Sequence, residues 1–327
     1  MKKIFSVRTD IAAENCEMLR EQKQEFGDGI KFSEEKNDIF SSVTVDILNE
    51  EGEKKLGRKI GRYITVESEK LRKNDASCHE AVTKEISRVL MEIDSFKNAK
   101  SILAVGLGNR NITPDALGPK VIDRLLVTRH IMEDIPEELE KGVRMLSALA
   151  PGVMGITGIE TFEIIKGVTE KIKPDIIVAI DALAARKFSR INSTVQISNC
   201  GVAPGAGVGN KREELSEKTL GIPVIVIGVP TVVDAATLVN DTMDKILFEM
   251  KNQSESGSEF YEMILSLENE EKYELIRELL TPYEENMFVT PKEVDMVIDR
   301  LADIIANAIN TAVHPAVKME DVKKYSW

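Results

Sequence analysis

Cysteine is scarce in this 327-residue sequence, occurring only at Cys16, Cys78 and Cys200. An odd number with no CxxC pair excludes a disulfide framework and a zinc knuckle, and fits a reducing compartment. Histidine is equally rare: His79, His130 and His314 are scattered and form no HExxH, so a catalytic zinc has no ligand set and no metal site is expected. There is no GxSxG elbow and no cysteine in a recognisable nucleophile signature, which leaves acyl-enzyme chemistry without its nucleophile. Lys and Arg total 43 against 55 Asp and Glu, a net charge of −12. An acidic surface repels phosphate backbones, so direct nucleic-acid binding is not expected. No uncharged stretch reaches the roughly 18 residues that a membrane helix needs, and the opening MKKIFSVRTD lacks the apolar run of roughly 7–15 residues of a secretory signal. The expectation is a soluble cytoplasmic protein with no membrane partner.

What is there is enough apolar material for a large core: 43% of the residues are hydrophobic. One main domain with insertions is expected. The first 40 residues are polar, mixed in charge sign and without a sustained period, and read as surface chain. SVTVDIL at 42–48 and GRYITV at 61–66 are β-branched runs flanking NEEGEKKLGRK, the pattern of a hairpin with a long loop. Four apolar runs, at 101–106, 143–149, 175–180 and 222–228, have the continuous character of strands covered on both faces. Helical spacing lies between and around them: Cys78 to Phe96, PDALGPKVIDRLLV, GIETFEIIKGVTEKI, and VDAATLVNDTMDKILFEM, where Met243 and Met250 share an apolar face that packing explains. Alternating strand and helix predicts an α/β fold with a mostly parallel sheet sandwiched between helices. KNQSESGSEF near 251 reads as a polar insertion, followed by helical patterns in YEMILSLENEEKYELIRELL and PKEVDMVIDRLADIIANAINTAV, the latter opened by Thr290 as N-cap and Pro291.

In open sheets of this kind the site lies beyond the carboxyl ends of the strands, where their loops converge. Two such loops each carry an aspartate: Asp115 in GNRNITPDALG and Asp181 in DIIVAIDALAARK, 66 residues apart. Two carboxylates facing one water push their pKa values apart, so that one holds a proton while the other accepts one. Each aspartate also has a plainer reading. Asp115 follows Thr113-Pro114 at a helix start, where the dipole favours a carboxylate, and Asp181 at the end of a buried strand can cap the next turn of the chain. Asp234, after the run at 222–228, has the setting of a simple cap. Gly106 and Gly108 follow a strand, but Asn111 stands where a dinucleotide-binding turn needs its third glycine. APGAGVGNKREE at 203–214 lacks the hydroxyl residue of a phosphate loop. No cofactor is expected.

The segments SVRTDIA, VGLGNRNITPDALGPKV, APGVMGITGIET, DIIVAIDALAARK and CGVAPGAGVGNKREEL together resemble the germination protease family of spore-forming bacteria. The resemblance runs from residue 6 to His314-Pro315. It implies an aspartate-dependent endopeptidase, similar in fold to the hydrogenase-maturation proteases, whose two catalytic aspartates correspond to Asp115 and Asp181. It further implies a homotetrameric, self-processing zymogen in the forespore and spore core, acting on small acid-soluble spore proteins. Substrates of that family carry an acidic residue, then Ile or Phe, then small residues and Glu, and Asp10-Ile11-Ala12-Ala13-Glu14 matches that pattern. Cleavage between Asp10 and Ile11 is therefore expected, making residues 1–10 a propeptide and 11–327 a single protease domain with insertions near 42–66 and 249–285. Gly106, Gly108 and Asn109 are expected to let a substrate backbone approach closely.

Overall fold

A computed structural model describes residues 9–134, 142–203, 213–253 and 287–317. The expected phosphate-loop look-alike at 203–214 and the polar insertion near 251 fall largely outside them. So do the following helical pattern up to residue 286 and most of the propeptide.

The apolar runs form strands in the expected places. They are β1 (Ile30–Lys36), β2 (Ser41–Ile47), β3 (Gly61–Glu67), β4 (Ser101–Gly106), β5 (Met145–Leu149), β6 (Ile176–Ala185), β7 (Thr194–Ser198), β8 (Val224–Asp234) and β9 (Phe288–Val289). The described helices are α1 (Ala12–Glu21), α2 (Glu50–Leu56), α3 (Ala76–Glu92), α4 (Asp94–Asn98), α5 (Leu117–Ile122), α6 (Met154–Thr157), α7 (Thr161–Ile172), α8 (Glu217–Leu220), α9 (Ala235–Gln253) and α10 (Val294–Val313). One mixed sheet runs in the order β1-β2-β3-β7-β8-β6-β4-β5, with β9 added to β8. Its parallel part is the four strands β8, β6, β4 and β5, the pairings that helical crossovers produce. The predicted hairpin β2/β3 is not a separate appendage; β3 pairs antiparallel with β7, and β7 with β8, so the N-terminal strands widen the same sheet.

Alternation along the strands sorts the core into two layers. Ile102, Ala104, Val178, Ile180, Ile225 and Ile227 face α3, α5 and α10, while Leu103, Val105, Ile177, Ala179 and Val226 face Phe162 and Ile165 of α7. The helix α10 is buried over most of its length, and it starts at Val294 behind Glu293. Thr290 is not its cap: the hydroxyl donates to the Thr231 carbonyl at 2.9 Å, tying the β9 region to β8. Met243 and Met250, whose spacing predicts packing, are exposed on α9.

Two elements in the first 40 residues escape the periodicity. The strand β1 is an edge with most side chains in solvent, so it needs no apolar alternation. The helix α1 buries Ala12, Ala13, Glu14 and Cys16, small or polar residues that leave little hydrophobic signal. It is fastened by ion pairs: the almost fully buried Arg190 reaches Glu17 at 2.6 Å and Glu67 of β3 at 3.1 Å, and Lys187 pairs with Glu17 at 2.7 Å. The strands β6 and β8 also continue past their apolar runs, through the pairs Ala182↔Val229 and Ala184↔Val232. That extension supplies the wall against which residues 9–11 lie.

Leu301 on α10 is fully buried in the larger layer. Leu301→Ala should cost about 2–5 kcal/mol, measured by urea or thermal unfolding.

Candidate active site

After β4 the chain is held beside β6 by the Leu107 N–H donating to the Ile180 carbonyl at 2.8 Å. Gly108 follows at φ +105, and a Cβ there would stand 2.1 Å from the Asp115 carbonyl oxygen. Only glycine fits a backbone turned this way and pressed this closely. The next N–H, of Asn109, donates to Asp115 Oδ2 at 2.7 Å. The Asn109 side chain accepts from the Asn111 N–H at 3.0 Å and rounds the turn. Asp115 ends a short 3₁₀ turn, Thr113–Asp115, whose cap position is Ile112 without a side-chain hydrogen bond. The Asp115 carboxylate is thus bound by the loop that precedes it, and Thr113 does not cap the turn. Gly106 is set against α5: a Cβ there would lie 2.3 Å from the Gly118 carbonyl oxygen. The close approaches that Gly106 and Gly108 permit are to the chain's own backbone.

Asp181 does not end its strand. It sits midway along β6, paired with Gly228 of β8, and is buried. A cavity of about 590 Å³ brings Asp115 and Asp181 together, with Asp10, Leu107, Gly108, Gln196 and Gly228 also in its lining. Burial, the Asp115 carboxylate and, less strongly, Asp10 push the Asp181 carboxyl well above the usual carboxylate range. One hydrogen bond from the Ala182 N–H at 2.9 Å works the other way. Both neighbouring charges are negative, so Asp181 favours its neutral, proton-bearing form. A protonated acid beside a second carboxylate can give a proton at one oxygen while the other takes one up.

Asp10, which opens the string Asp10–Glu14, lines this cavity. The Asp10 N–H donates to the Ala184 carbonyl at 2.8 Å, and the Ala184 N–H donates to Asp10 Oδ2 at 2.9 Å. Ile11 is fully buried beside Leu183 and Val43. Ala12 to Glu14 do form the first turn of a helix, but a buried one, with the Glu14 carboxylate accepting from the N–H groups of Arg186 at 2.7 Å and Lys187 at 2.9 Å. Asp234 lies apart in role: its side chain accepts from the Thr237 N–H at 2.9 Å and caps α9. Among the described residues no group of three or more His, Cys, Asp or Glu is arranged to hold a metal ion. Sequence reading missed Gln196 and Gly228, because β7 is a short strand with a polar face and a lone strand glycine carries no chemical signal.

The family model described as Germination protease matches residues 7–259 and 249–326 of this chain. A germination protease of Clostridium tetani is 49% identical over 321 residues, covering 98% of this chain and 99% of its own. One from Caldanaerobacter subterraneus is 43% identical, covering 98% of each chain. One from Bacillus cereus is 44% identical over an alignment of 362 residues, covering 98% of this chain and 97% of its own. Among solved structures, a nickel–iron hydrogenase maturation protease from Thermococcus kodakarensis aligns with 66% of this chain and 96% of its own, at 19% identity and a TM-score of 0.33. The chain belongs to the germination protease family.

Asp181→Asn gives a stability test of the buried acid. Above pH ~3.9 the unfolded chain carries this carboxyl ionised while the folded chain keeps it protonated. Folding then takes up a proton, and stability falls as pH rises from the unfolded value toward the raised folded one. Asparagine does not titrate and can still accept from Ala182. The variant's Tm should therefore exceed that of the parent at pH 7, with the difference shrinking toward pH 4, as read by differential scanning calorimetry.

Proposed function

We propose that this member of the germination protease family is an aspartate-dependent endopeptidase that begins the degradation of small acid-soluble spore proteins at germination, made as a precursor that removes its own residues 1–10. The observation that carries this reading is the shared cavity of Asp115 and Asp181, with Asp181 biased toward its protonated form. With the proton on Asp181, Asp115 is left to take a proton from water as it adds to the peptide carbon. Asp181 then protonates the departing amine, which is the division of labour that general acid–base catalysis needs. The pair holds one proton before and after turnover, so no cofactor is required.

The position of Asp10 and Ile11 supports the processing site. Residue 11 is extended (φ −96, ψ 116) and the bond before it lies where the cavity begins. Extended peptide is the form in which a groove beside a sheet accepts a chain. Spore proteins with an acidic residue followed by Ile would enter in the same way, in the forespore and spore-core cytoplasm. A homotetramer fits the apolar side chains that α9 exposes, Ile246 and Phe248 with the two methionines.

Asp115→Asn and Asp181→Asn should each lose cleavage of an acid-soluble spore protein, seen on a gel, and self-processing, seen by mass spectrometry, while keeping the circular dichroism of the parent. Activity retained in both variants would remove the mechanism, and a mature N-terminus other than Ile11 would remove the processing site.

A further inference from the structure

Gln196, Gly228 and Asp181 form one row across three adjacent strands. Gln196 of β7 is paired with Gly228 of β8, and Gly228 with Asp181 of β6. Residues paired directly across strands project to the same face, so the Gln196 and Asp181 side chains flank Gly228; a Cβ on that glycine would stand 2.4 Å from Leu183 Cδ1, so the missing side chain makes room for Leu183. Two strand spacings separate their Cα atoms by roughly 10 Å. All three residues line the cavity.

The segment lying there is the chain's own. Gln196 Nε2 donates to the Asp10 carbonyl oxygen at 2.9 Å, and the Ala12 N–H donates to Gln196 Oε1 at 2.7 Å. The two bonds fix the amide's orientation, because turning it over would place oxygen against oxygen and N–H against N–H. The carbonyl that Gln196 holds belongs to the Asp10–Ile11 peptide bond. Gln196 itself is 7% exposed. The acidic groups around it, Asp10, Asp115 and Asp181, share the cavity. A neutral amide can donate there without pairing with those carboxylates, whereas a lysine or arginine would lock onto them and suppress the raised Asp181 proton affinity.

We propose that Gln196 is a third catalytic residue, the donor that stabilises the oxyanion of the scissile carbonyl. This rests on the reading of Asp115 and Asp181 as the acid–base pair and of Asp10–Ile11 as the processed bond. Water adds to the Asp10 carbonyl carbon, its proton passes to Asp115, and the carbonyl π pair moves onto the oxygen that Gln196 Nε2 holds. The C–N bond then breaks as the nitrogen of Ile11 takes the proton of Asp181, leaving the Asp10 carboxyl group and the Ile11 amine. The proton on Asp115 returns to Asp181. Gln196 Oε1 meanwhile holds the N–H of Ala12 and sets the register of the segment.

A purely structural role is the alternative, since the same Oε1 satisfies an N–H in the first turn of α1. Gln196→Met separates the two: its thioether is close in size and can accept weakly from the Ala12 N–H, but it has no donor for the carbonyl in any protonation state. The first-order rate of conversion of the full chain to one beginning at Ile11 is followed by mass spectrometry for the parent, Gln196→Ala, Gln196→Met, Asp115→Asn and Asp181→Asn, with Tm measured on each. Gln196→Ala and Gln196→Met should both slow conversion by about 10²–10³-fold, the loss expected for one oxyanion donor, with Gln196→Met retaining the fold. Conversion within threefold of the parent in Gln196→Met overturns the proposal even if Gln196→Ala misfolds. If the parent does not convert, or cuts at another bond, the processing-site reading fails and takes this proposal with it. If both aspartate variants convert, the acid–base reading fails.

Discussion

Burying Asp181 is the constraint on which the rest of this molecule turns. The charges acting on it, those of Asp115 and Asp10, are both negative. A carboxylate buried under such conditions is costly, and the group relieves that cost by keeping a proton. Everything that holds Asp115 and Asp10 close therefore also holds a proton on Asp181. The fold opposes its own electrostatics here.

The architecture supplies the force that keeps the carboxylates together. Both layers of aliphatic side chains are anchored in β4, β6 and β8, so the end of β6 cannot move away from the loop after β4 without opening the core. That loop is pinned in turn by Leu107 on Ile180 and by the tight contact between Gly108 and Asp115. On the other flank α1 is held by Arg190 and Lys187 through Glu17, and by the N–H groups of Arg186 and Lys187 on Glu14. Polar fastening of this kind positions residues 9–11 over a sheet face that is itself polar at Gln196.

Much of this architecture is legible in the sequence for simple reasons. The strands β4, β6 and β8 are buried on both faces, so they appear as apolar runs, and α3 and α10 repeat their apolar residues with the helical period. The elements that escape such reading have weak patterns. The edge strand β1 is solvated, α1 buries alanines and a glutamate, and β7 alternates Val195 and Ile197 with Thr194, Gln196 and Ser198 over only five residues. The apolar runs also end β6 and β8 too early, because Asp181 interrupts the one and Gly228, Pro230 and Thr231 break up the other, although Leu183, Ala185, Val229 and Val233 beyond them are buried and the two strands go on pairing.

By itself the sequence determined which segments are sheet and helix at the centre, which two aspartates leave the ends of neighbouring apolar runs, and which family the motifs belong to, because those properties are written in local pattern. Only the tertiary structure decided that Asp181 lies within its strand, that Asp10 shares its cavity, and that Gln196 faces it across Gly228. Those are matters of register between strands far apart in the chain: alternation within one strand marks which face a side chain takes, but which residue stands opposite it is decided only when the strands pair.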